Sequence, residues 1–415
     1  MDQARAYPND LAERLRAAWP ADAHPLPRCV EWILGVAYHA SFLREEERAV
    51  TCRVLVIPRD ALPLDSGPPE ALLPLAFANS RVWNEDELRR LAPAAEVYRS
   101  LIGVEERDDA LAIWGIAQTG PRWLQVAQGG RNTEPPLPPA LVVQVVGPGH
   151  LIVGCGSRHI AELRGGRLSE MTLDVFRSKW MPARFEEARA LMAAEHAASA
   201  APALGAADAA AFTGYLARQM LKRIVATMRS RRHGGTVIMG APTGLADRNL
   251  FAKYSFTDAA PRRRFRGVAH AILTRIASHV AQSGRTAIDE YRISEDPGVA
   301  ELDEALFEIG HLIASLTAID GAVVLTKRFE VLAFGAEIAG SLPKVNEVRH
   351  ALDLEAERFV VESVDGVGTR HRSTYRLCAA VPDTISIVVS QDGGTRFVAN
   401  HAGGVTYWDH GLGAD

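Results

Sequence analysis

Cysteine is scarce in this chain, and the four residues it has are scattered. Cys29, Cys52, Cys155 and Cys378 form no Cys-x-x-Cys pair, and no histidine stands at metal-ligand spacing from any of them. This pattern argues against a disulfide framework and against a zinc site. We therefore expect thiols kept in a reducing compartment, the cytoplasm.

Long apolar runs and an excess of one charge are also missing. No window approaches the roughly 20 apolar residues that span a bilayer, and the first residues contain no apolar run of signal-peptide type. The 46 basic and 50 acidic residues leave a formal net charge of −4. Charge therefore gives no reason to expect general nucleic-acid binding, and the sequence predicts neither a membrane nor a nucleic-acid partner.

What is present is an ordinary globular composition with 47% hydrophobic residues, sufficient for two domains with separate cores. Residues 1–180 contain helical patterns at 9–20 and 85–92, a β-branched run at 49–58, and further short apolar runs between glycine and proline turns. These patterns predict an α+β domain with an antiparallel sheet. A sensor or regulatory role for this domain is a hypothesis from its position in the chain.

Residues 181–211 are helical in propensity and then rich in alanine, which is typical of an interdomain helix that ends in a flexible linker. From residue 212 onward helices and apolar strands alternate, which predicts an α/β domain over 212–415 with a mixed sheet flanked by helices. The predicted helices are 212–232, 265–280, 302–316 and 369–380. The predicted strands are 236–239, 321–325, 330–338, 359–362, 384–390 and 396–400.

Two motifs in the second domain can perform chemistry. Asp-Gly-Ala at 320–322 stands at the mouth of a predicted strand, where an aspartate can bind a divalent metal, although an Asp-Gly pair alone is usually a turn. Gly-Thr-Arg-His-Arg-Ser at 368–373 opens a predicted helix with Thr369 as its N-cap. Arginine side chains and helix N-termini bind phosphate oxygens, but a basic surface turn paired with nearby acids would look the same.

Together the two motifs resemble the signature of diadenylate cyclase domains, and the likeness covers roughly residues 212–401. It includes the stretch at 233–238, the helix with 307–311, and residues 390–392 after the second motif. The chain is similar to a soluble group of this family in which a probable sensor domain, of the DACNV type, precedes the cyclase domain.

The resemblance implies an enzyme that condenses two ATP into cyclic di-AMP and two pyrophosphates, with Mg or Mn as the metal. Two such domains would meet face to face, at least transiently, so a homo-oligomer is expected. The resemblance implies catalytic roles for Asp320, Arg370, His371 and Arg372. It implies ATP binding by Gly321, Ala322, Gly368, Thr369 and Ser373, and metal binding by Asp320 and Asp392.

Two departures from the family pattern bear on turnover. Membrane-bound relatives have a histidine directly before Asp-Gly-Ala, where this chain has Ile319, and Ser-Glu-Glu where it has Ser390-Gln391-Asp392. These changes leave open a catalytically weak or inactive nucleotide-binding module. A scaffold whose N-terminal half binds a protein or nucleic acid is another alternative. The predicted partners are ATP and an unknown ligand or protein at the N-terminal domain.

Overall fold

The computed structural model describes residues 5–62, 72–97, 99–107, 110–119, 129–131, 137–170, 173–199, 202–231, 233–240, 249–391 and 393–411. The chain divides into two compact units. The first comprises Met1–Ala127, Asn132–Thr172 and Leu412–Asp415, and the second comprises Gln128–Arg131 and Leu173–Gly411. Within the described ranges, no helix is both long and apolar enough to cross a membrane.

The first unit combines a few helices with many strands. Its described helices are α1 (Pro8–Ala18), α2 (Val30–Ala40) and α3 (Glu85–Leu91). Its described strands are β1 (Arg44–Glu45), β2 (Arg48–Ala49), β3 (Cys52–Val56), β4 (Leu73–Val82), β5 (Ser100–Arg107), β6 (Ala110–Gln118), β7 (Leu141–Gly147), β8 (His150–Cys155), β9 (Arg158–Arg164) and β10 (Arg167–Glu170).

Local sequence signals account for the helices of this unit. Helix α3 starts where the side chain of Asn84 accepts a hydrogen bond from the backbone N–H of Glu87 at 2.8 Å, as an N-cap does. Leu11 and Leu15 of α1 lie one helical turn apart and are both buried in the core. The predictions of helices at 9–20 and 85–92 are therefore confirmed.

Strands β3 to β10 pair in the order β10-β9-β8-β7-β3-β5-β6-β4. Strand β3 lies inside this sheet with all five residues buried, because the sheet is covered on both faces there. Strands β3 and β5 run parallel, whereas the neighbouring pair of β3 and β7 is antiparallel. The unit is thus a β-rich α+β structure, and the prediction of an antiparallel sheet holds except for the β3–β5 pair.

The second unit is a mixed α/β structure. Its described helices are α4 (Trp180–Ala183), α5 (Glu186–Ser199), α6 (Ala206–Arg231), α7 (Ala259–Arg262), α8 (Arg264–Ser283), α9 (Ala287–Ile293), α10 (Pro297–Leu316) and α11 (Thr369–Ala380). Its described strands are β11 (Gly235–Gly240), β12 (Leu250–Ser255), β13 (Ala322–Thr326), β14 (Val331–Ile338), β15 (Glu347–Ala351), β16 (Phe359–Ser363), β17 (Ile385–Val389), β18 (Thr395–His401) and β19 (Gly404–His410).

These strands pair in the order β12-β14-β13-β11-β17-β18-β19-β15-β16, and helices cover both faces of the sheet. Val323 and Leu325 of β13 belong to the core that α6, α8 and α10 share. Ala322 and Val324 of the same strand contribute to a second cluster that includes Leu377 of α11. Successive side chains of a strand point to opposite faces, so β13 is buried from both sides.

The alanine-rich stretch differs from the predicted flexible linker. Helix α5 buries Met192 in the core of the second unit and His196 beside it, and α6 already begins at Ala206. The backbone N–H of Leu204 donates to Nε2 of His196 at 3.1 Å, which ties the connection to α5. Alanine has the highest helix propensity, so this composition supports packed helices here.

Candidate functional site

Three neighbouring inner strands of the second sheet, β13, β11 and β17, have ends that lie side by side. The line of these strand ends is called the edge below. Strands β11 and β13 are parallel neighbours with Thr236 opposite Ala322, so their N-terminal ends lie side by side. Strand β17 is antiparallel to β11, with Val389 opposite Gly235, which brings its C-terminal end to the same edge. Residues directly before β11 and β13 and directly after β17 are therefore neighbours. Asp320 is separated from β13 by Gly321 alone and therefore lies at this edge too.

Asp320 is exposed at this edge, and the glycine that follows it lies close to the backbone of β14. Gly321 has φ of +115°, and a Cβ added to it would stand 2.6 Å from the carbonyl carbon of Gly335. A side chain at 321 would thus meet the backbone of β14, so only glycine permits this close pairing. Ala322 is buried as the first residue of β13. Asp320 is thus exposed just before β13, and the sequence predicts it at the start of this strand.

The second motif opens helix α11 with the predicted bounds, 369–380, but its N-cap is Gly368 and not Thr369. The carbonyl oxygen of Gly368 accepts hydrogen bonds from the N–H groups of His371 at 3.1 Å and Arg372 at 3.2 Å, so Gly368 is the N-cap. The prediction of Thr369 as the cap is therefore wrong by one position. Thr369 is the first helical residue and is exposed.

Arg370 reaches from α11 to the same edge of the sheet. A Cβ added to Gly234 would stand 2.6 Å from Nη1 of Arg370, 3.0 Å from the carbonyl oxygen of Val389 and 3.3 Å from the backbone nitrogen of Gln391. The guanidinium therefore lies against the chain that enters β11, beside the end of β17. Asp320 precedes the strand next to β11, so one edge holds both Asp320 and Arg370.

The other residues of the second motif point in different directions. Successive helical residues are rotated by about 100° around the helix axis, so Arg372 points to nearly the opposite side of α11 from Arg370. Arg372 is exposed, and the His371 ring lies 6.4 Å from the ring of Tyr375. The hydroxyl of Ser373 donates to the carbonyl oxygen of Arg370 at 3.0 Å. The structure thus puts Asp320 and Arg370 at the ends of neighbouring strands but spreads His371, Arg372 and Ser373 around the helix.

Sequence reasoning missed the surroundings of Asp320 on β12. A hydrogen bond to Glu337 at 2.7 Å, and to a lesser extent the charge of Asp320, raise the pKa of Lys253. Tyr254 stacks on Phe334 with ring centroids 4.8 Å apart. Strand β12 is almost entirely exposed, so it lacks the apolar alternation that identifies a strand. An ammonium group and an aromatic face therefore stand near the candidate carboxylate.

Ile319 is close to the same aromatic residue. A Cβ added to Gly335 would lie 3.3 Å from Cδ2 of Tyr254 and 3.5 Å from Cγ2 of Ile319. Exposed aromatic faces of this kind can stack on a nucleobase. Asp392, the second predicted metal ligand, lies outside the described residues.

Among the described residues, no group of three or more His, Cys, Asp or Glu could hold a metal ion, and Asp320 is the one predicted metal ligand that lies within these residues. Mg²⁺ is commonly bound by one or two carboxylates together with substrate phosphates. Asp320 therefore fits a cation that arrives with a nucleotide, and the described groups do not form a metal cage.

Comparison with known proteins bears on the first unit. A model of the family described as "Probable sensor domain DACNV" matches residues 19–118. The match supports the prediction of an N-terminal sensor domain, and the first unit therefore contains a probable sensor domain. The search of curated proteins gave no match to this chain.

Proposed function

We propose that the second unit is a diadenylate cyclase domain that condenses two ATP into cyclic di-AMP and that the sensor domain regulates it. The observation that supports this most directly is that Asp320 and Arg370 lie at the same edge of one sheet. Phosphoryl transfer depends mainly on positioning and on charge stabilisation. A carboxylate and a guanidinium at the starts of two neighbouring strands are suited to the two ends of a bound nucleotide, the ribose and the triphosphate.

In this proposal each residue has a defined role. Asp320 orients the ribose 3′-hydroxyl, and Gly321 and Ala322 let the nucleotide approach the strand closely. Arg370 binds phosphate oxygens, and a guanidinium can do so through two parallel hydrogen bonds. The exposed N-terminal residues Gly368 and Thr369 offer the start of α11 to the phosphates.

A divalent cation such as Mg²⁺ or Mn²⁺ would be held by Asp320 and by the phosphates. When bound, it would neutralise negative charge on the triphosphate.

Two copies of the domain are required because each nucleotide supplies both a nucleophile and a leaving group. The 3′-oxygen of one ATP forms a bond to the α-phosphorus of the other, and the bond from that phosphorus to pyrophosphate breaks. The hydroxyl proton is lost, and the second half-reaction closes the ring in the same way. His371 and Arg372, which project from other sides of α11 than Arg370, would bind the phosphates across the domain pair.

One incubation tests this function. The full chain is incubated with ATP and Mn²⁺ or Mg²⁺, and the products are measured by mass spectrometry. We expect cyclic di-AMP from the natural protein and a loss on the order of 100-fold or more in the Asp320→Asn variant. Asp258→Asn is the matched control, because Asp258 is exposed and caps no backbone N–H with its side chain. Equal product from Asp320→Asn would refute the site.

A second candidate function is a nucleotide-binding module without turnover. It is favoured by Ile319, which puts an apolar side chain directly before Asp320. Calorimetric binding of ATP with no cyclic di-AMP after hours of incubation would favour this module over the cyclase.

A further inference from the structure

The second unit contains a cavity of about 120 Å³ beside helix α6, away from the edge that holds Asp320. It lies between α6 and the segment that includes the short 3-10 turn Val175–Arg177, helix α4 and the start of α5. Its apolar lining includes Phe176, Phe185, Tyr215 and Leu221. A protein cavity of roughly 150 Å³ can take up a benzene ring, so this one is suited to a single ring.

Two arginines give the cavity a polar side. Arg189 and Arg218 both line it. Nη2 of Arg189 donates to the carbonyl oxygen of Pro182 at 3.1 Å, whereas its Nε is buried without a hydrogen-bond partner. The guanidinium of Arg218 lies 5.9 Å from the centre of the Tyr215 ring. Neither arginine forms an ion pair with a carboxylate in the described part of the chain. The cavity is therefore lined by two positively charged side chains, of which Arg218 is exposed and Arg189 is half-buried.

A glycine in the middle of α6 makes room for one of these arginines. A Cβ added to Gly214 would stand 3.1 Å from Cδ of Arg189 and 3.2 Å from its Nη1. Glycine weakens a helix interior, and here it lets the Arg189 side chain lie across α6 at the cavity wall. The absence of a side chain at Gly214 therefore allows the Arg189 guanidinium to lie at this position.

We propose that this cavity binds a small aromatic carboxylate, with the ring among the apolar side chains and the carboxylate between Arg189 and Arg218. Burial of the ring removes apolar surface from water. Charge-assisted hydrogen bonds to guanidinium groups are stronger than neutral ones, and they favour a carboxylate over its neutral analogues. Helix α6 continues from Tyr215 to Arg231, about 24 Å at 1.5 Å per residue, and ends shortly before Gly234. A ligand in the cavity would thus contact α6, and the chain after α6 reaches Gly234, the residue that Arg370 contacts.

The experiment compares benzoate with benzamide, which has nearly the same shape and no charge. Each is titrated into the full-length natural protein at low salt, and the dissociation constant is measured by ligand-observed NMR or calorimetry. We expect saturable binding of benzoate, with benzamide about tenfold weaker because the charge-assisted bonds are lost. The measurement reports binding alone, so its result is separable from that of the cyclase assay.

Three variants locate the site. Arg189→Gln and Arg218→Gln should each bring the affinity for benzoate close to that for benzamide, while Arg285→Gln, on the exposed connection after α8, should leave it unchanged. Ala217→Leu adds side-chain volume at the cavity wall and should weaken both probes. Equal binding of the two probes, no saturable binding of either, or the same loss in Arg285→Gln as in Arg189→Gln would overturn the proposal. Thermal unfolding of each variant checks that it is folded.

Discussion

The guanidinium of Arg370 lies against the backbone of Gly234, and a Cβ added to Gly234 would stand 2.6 Å from its Nη1. Gly234 has φ of +70°, a conformation that favours glycine. It directly precedes β11, whose parallel neighbour β13 follows Asp320. This contact therefore brings an arginine of the second motif to the start of β11, the strand next to the one that follows Asp320.

The first prediction concerns Gly234→Ala. The added methyl group should displace the Arg370 guanidinium and weaken ATP binding about tenfold or more, since one charge-assisted phosphate contact is misplaced. Alanine is strained at this positive φ, so the substitution should also lower the free energy of unfolding by about 1 kcal/mol. Isothermal calorimetry with ATP and chemical denaturation measure the two effects separately.

Gly284→Ala is the control for that variant. Gly284 has nearly the same φ of +72°, but a Cβ added to it would meet nothing within 4 Å. This variant should show the stability loss and keep the ATP affinity. If both variants bind ATP as the natural protein does, the Arg370 contact has no part in nucleotide binding.

The second prediction separates Arg370 from Arg372. Arg370 shares the sheet edge with Asp320, whereas Arg372 diverges from it on the helix and is exposed. Arg370→Ala should reduce ATP binding to a single domain more strongly than Arg372→Ala, by about tenfold or more. Product formation should fall in both variants if Arg372 acts across the domain pair. An equal loss of ATP affinity in the two variants would contradict this division.

The third prediction concerns a buried ion pair in the second unit. Nη2 of Arg223 and the hydroxyl of Tyr291 each lie 2.5 Å from Oδ1 of Asp303, and Nε of Arg223 donates to the carbonyl oxygen of Gly129 at 2.9 Å. Asp303→Asn leaves a buried guanidinium without its counter-charge. We expect this change to lower the free energy of unfolding by about 3–5 kcal/mol in urea denaturation.

Asp296→Asn is the matched control for the ion pair. Asp296 also pairs with an arginine, Arg275, but that arginine is half exposed, and asparagine can still cap Gly298 as the aspartate does. A surface pair contributes about 1 kcal/mol or less, so this variant should be nearly as stable as the natural protein. Equal losses in the two variants would show that burial does not set the strength of the pair.

The fourth prediction concerns pH. Burial, and then the charges of Arg229 and Lys222, lower the pKa of His410 to about 3. The folded protein therefore keeps His410 neutral while the unfolded chain binds a proton below its ordinary value of about 6.5. As pH falls below that value, the free energy of unfolding should decrease by about 1.4 kcal/mol per pH unit from this group.

His410→Asn tests that assignment. The backbone N–H of Val175 donates to Nδ1 of His410 at 3.3 Å, and the side-chain oxygen of asparagine can accept the same bond without titrating. The variant should lose less stability than the natural protein between pH 7 and pH 5, measured by denaturant midpoints at each pH. Parallel pH curves for the two proteins would exclude His410 as the source.

The elements with strong local signals could be predicted from the sequence alone. Helix α11 was predicted with the bounds it has, because a glycine precedes it and its apolar residues recur at helical spacing. Strand β11 was identified by its run of buried apolar residues. The exposed strand β12 and the short strand β15 were missed. Both are outer strands of the sheet or next to one, and strands in contact with solvent need not alternate apolar and polar residues.

Which groups come close together depends on the tertiary fold and could not be predicted. The parallel pairing of β11 with β13 puts Gly234 and Asp320 at the same ends of neighbouring strands, and packing of α11 on the sheet brings Arg370 to Gly234. Nothing local to either motif encodes that meeting, since it depends on the register between strands distant in the chain. The cavity beside α6 has the same origin: its apolar walls and its two arginines come from segments that only folding brings together.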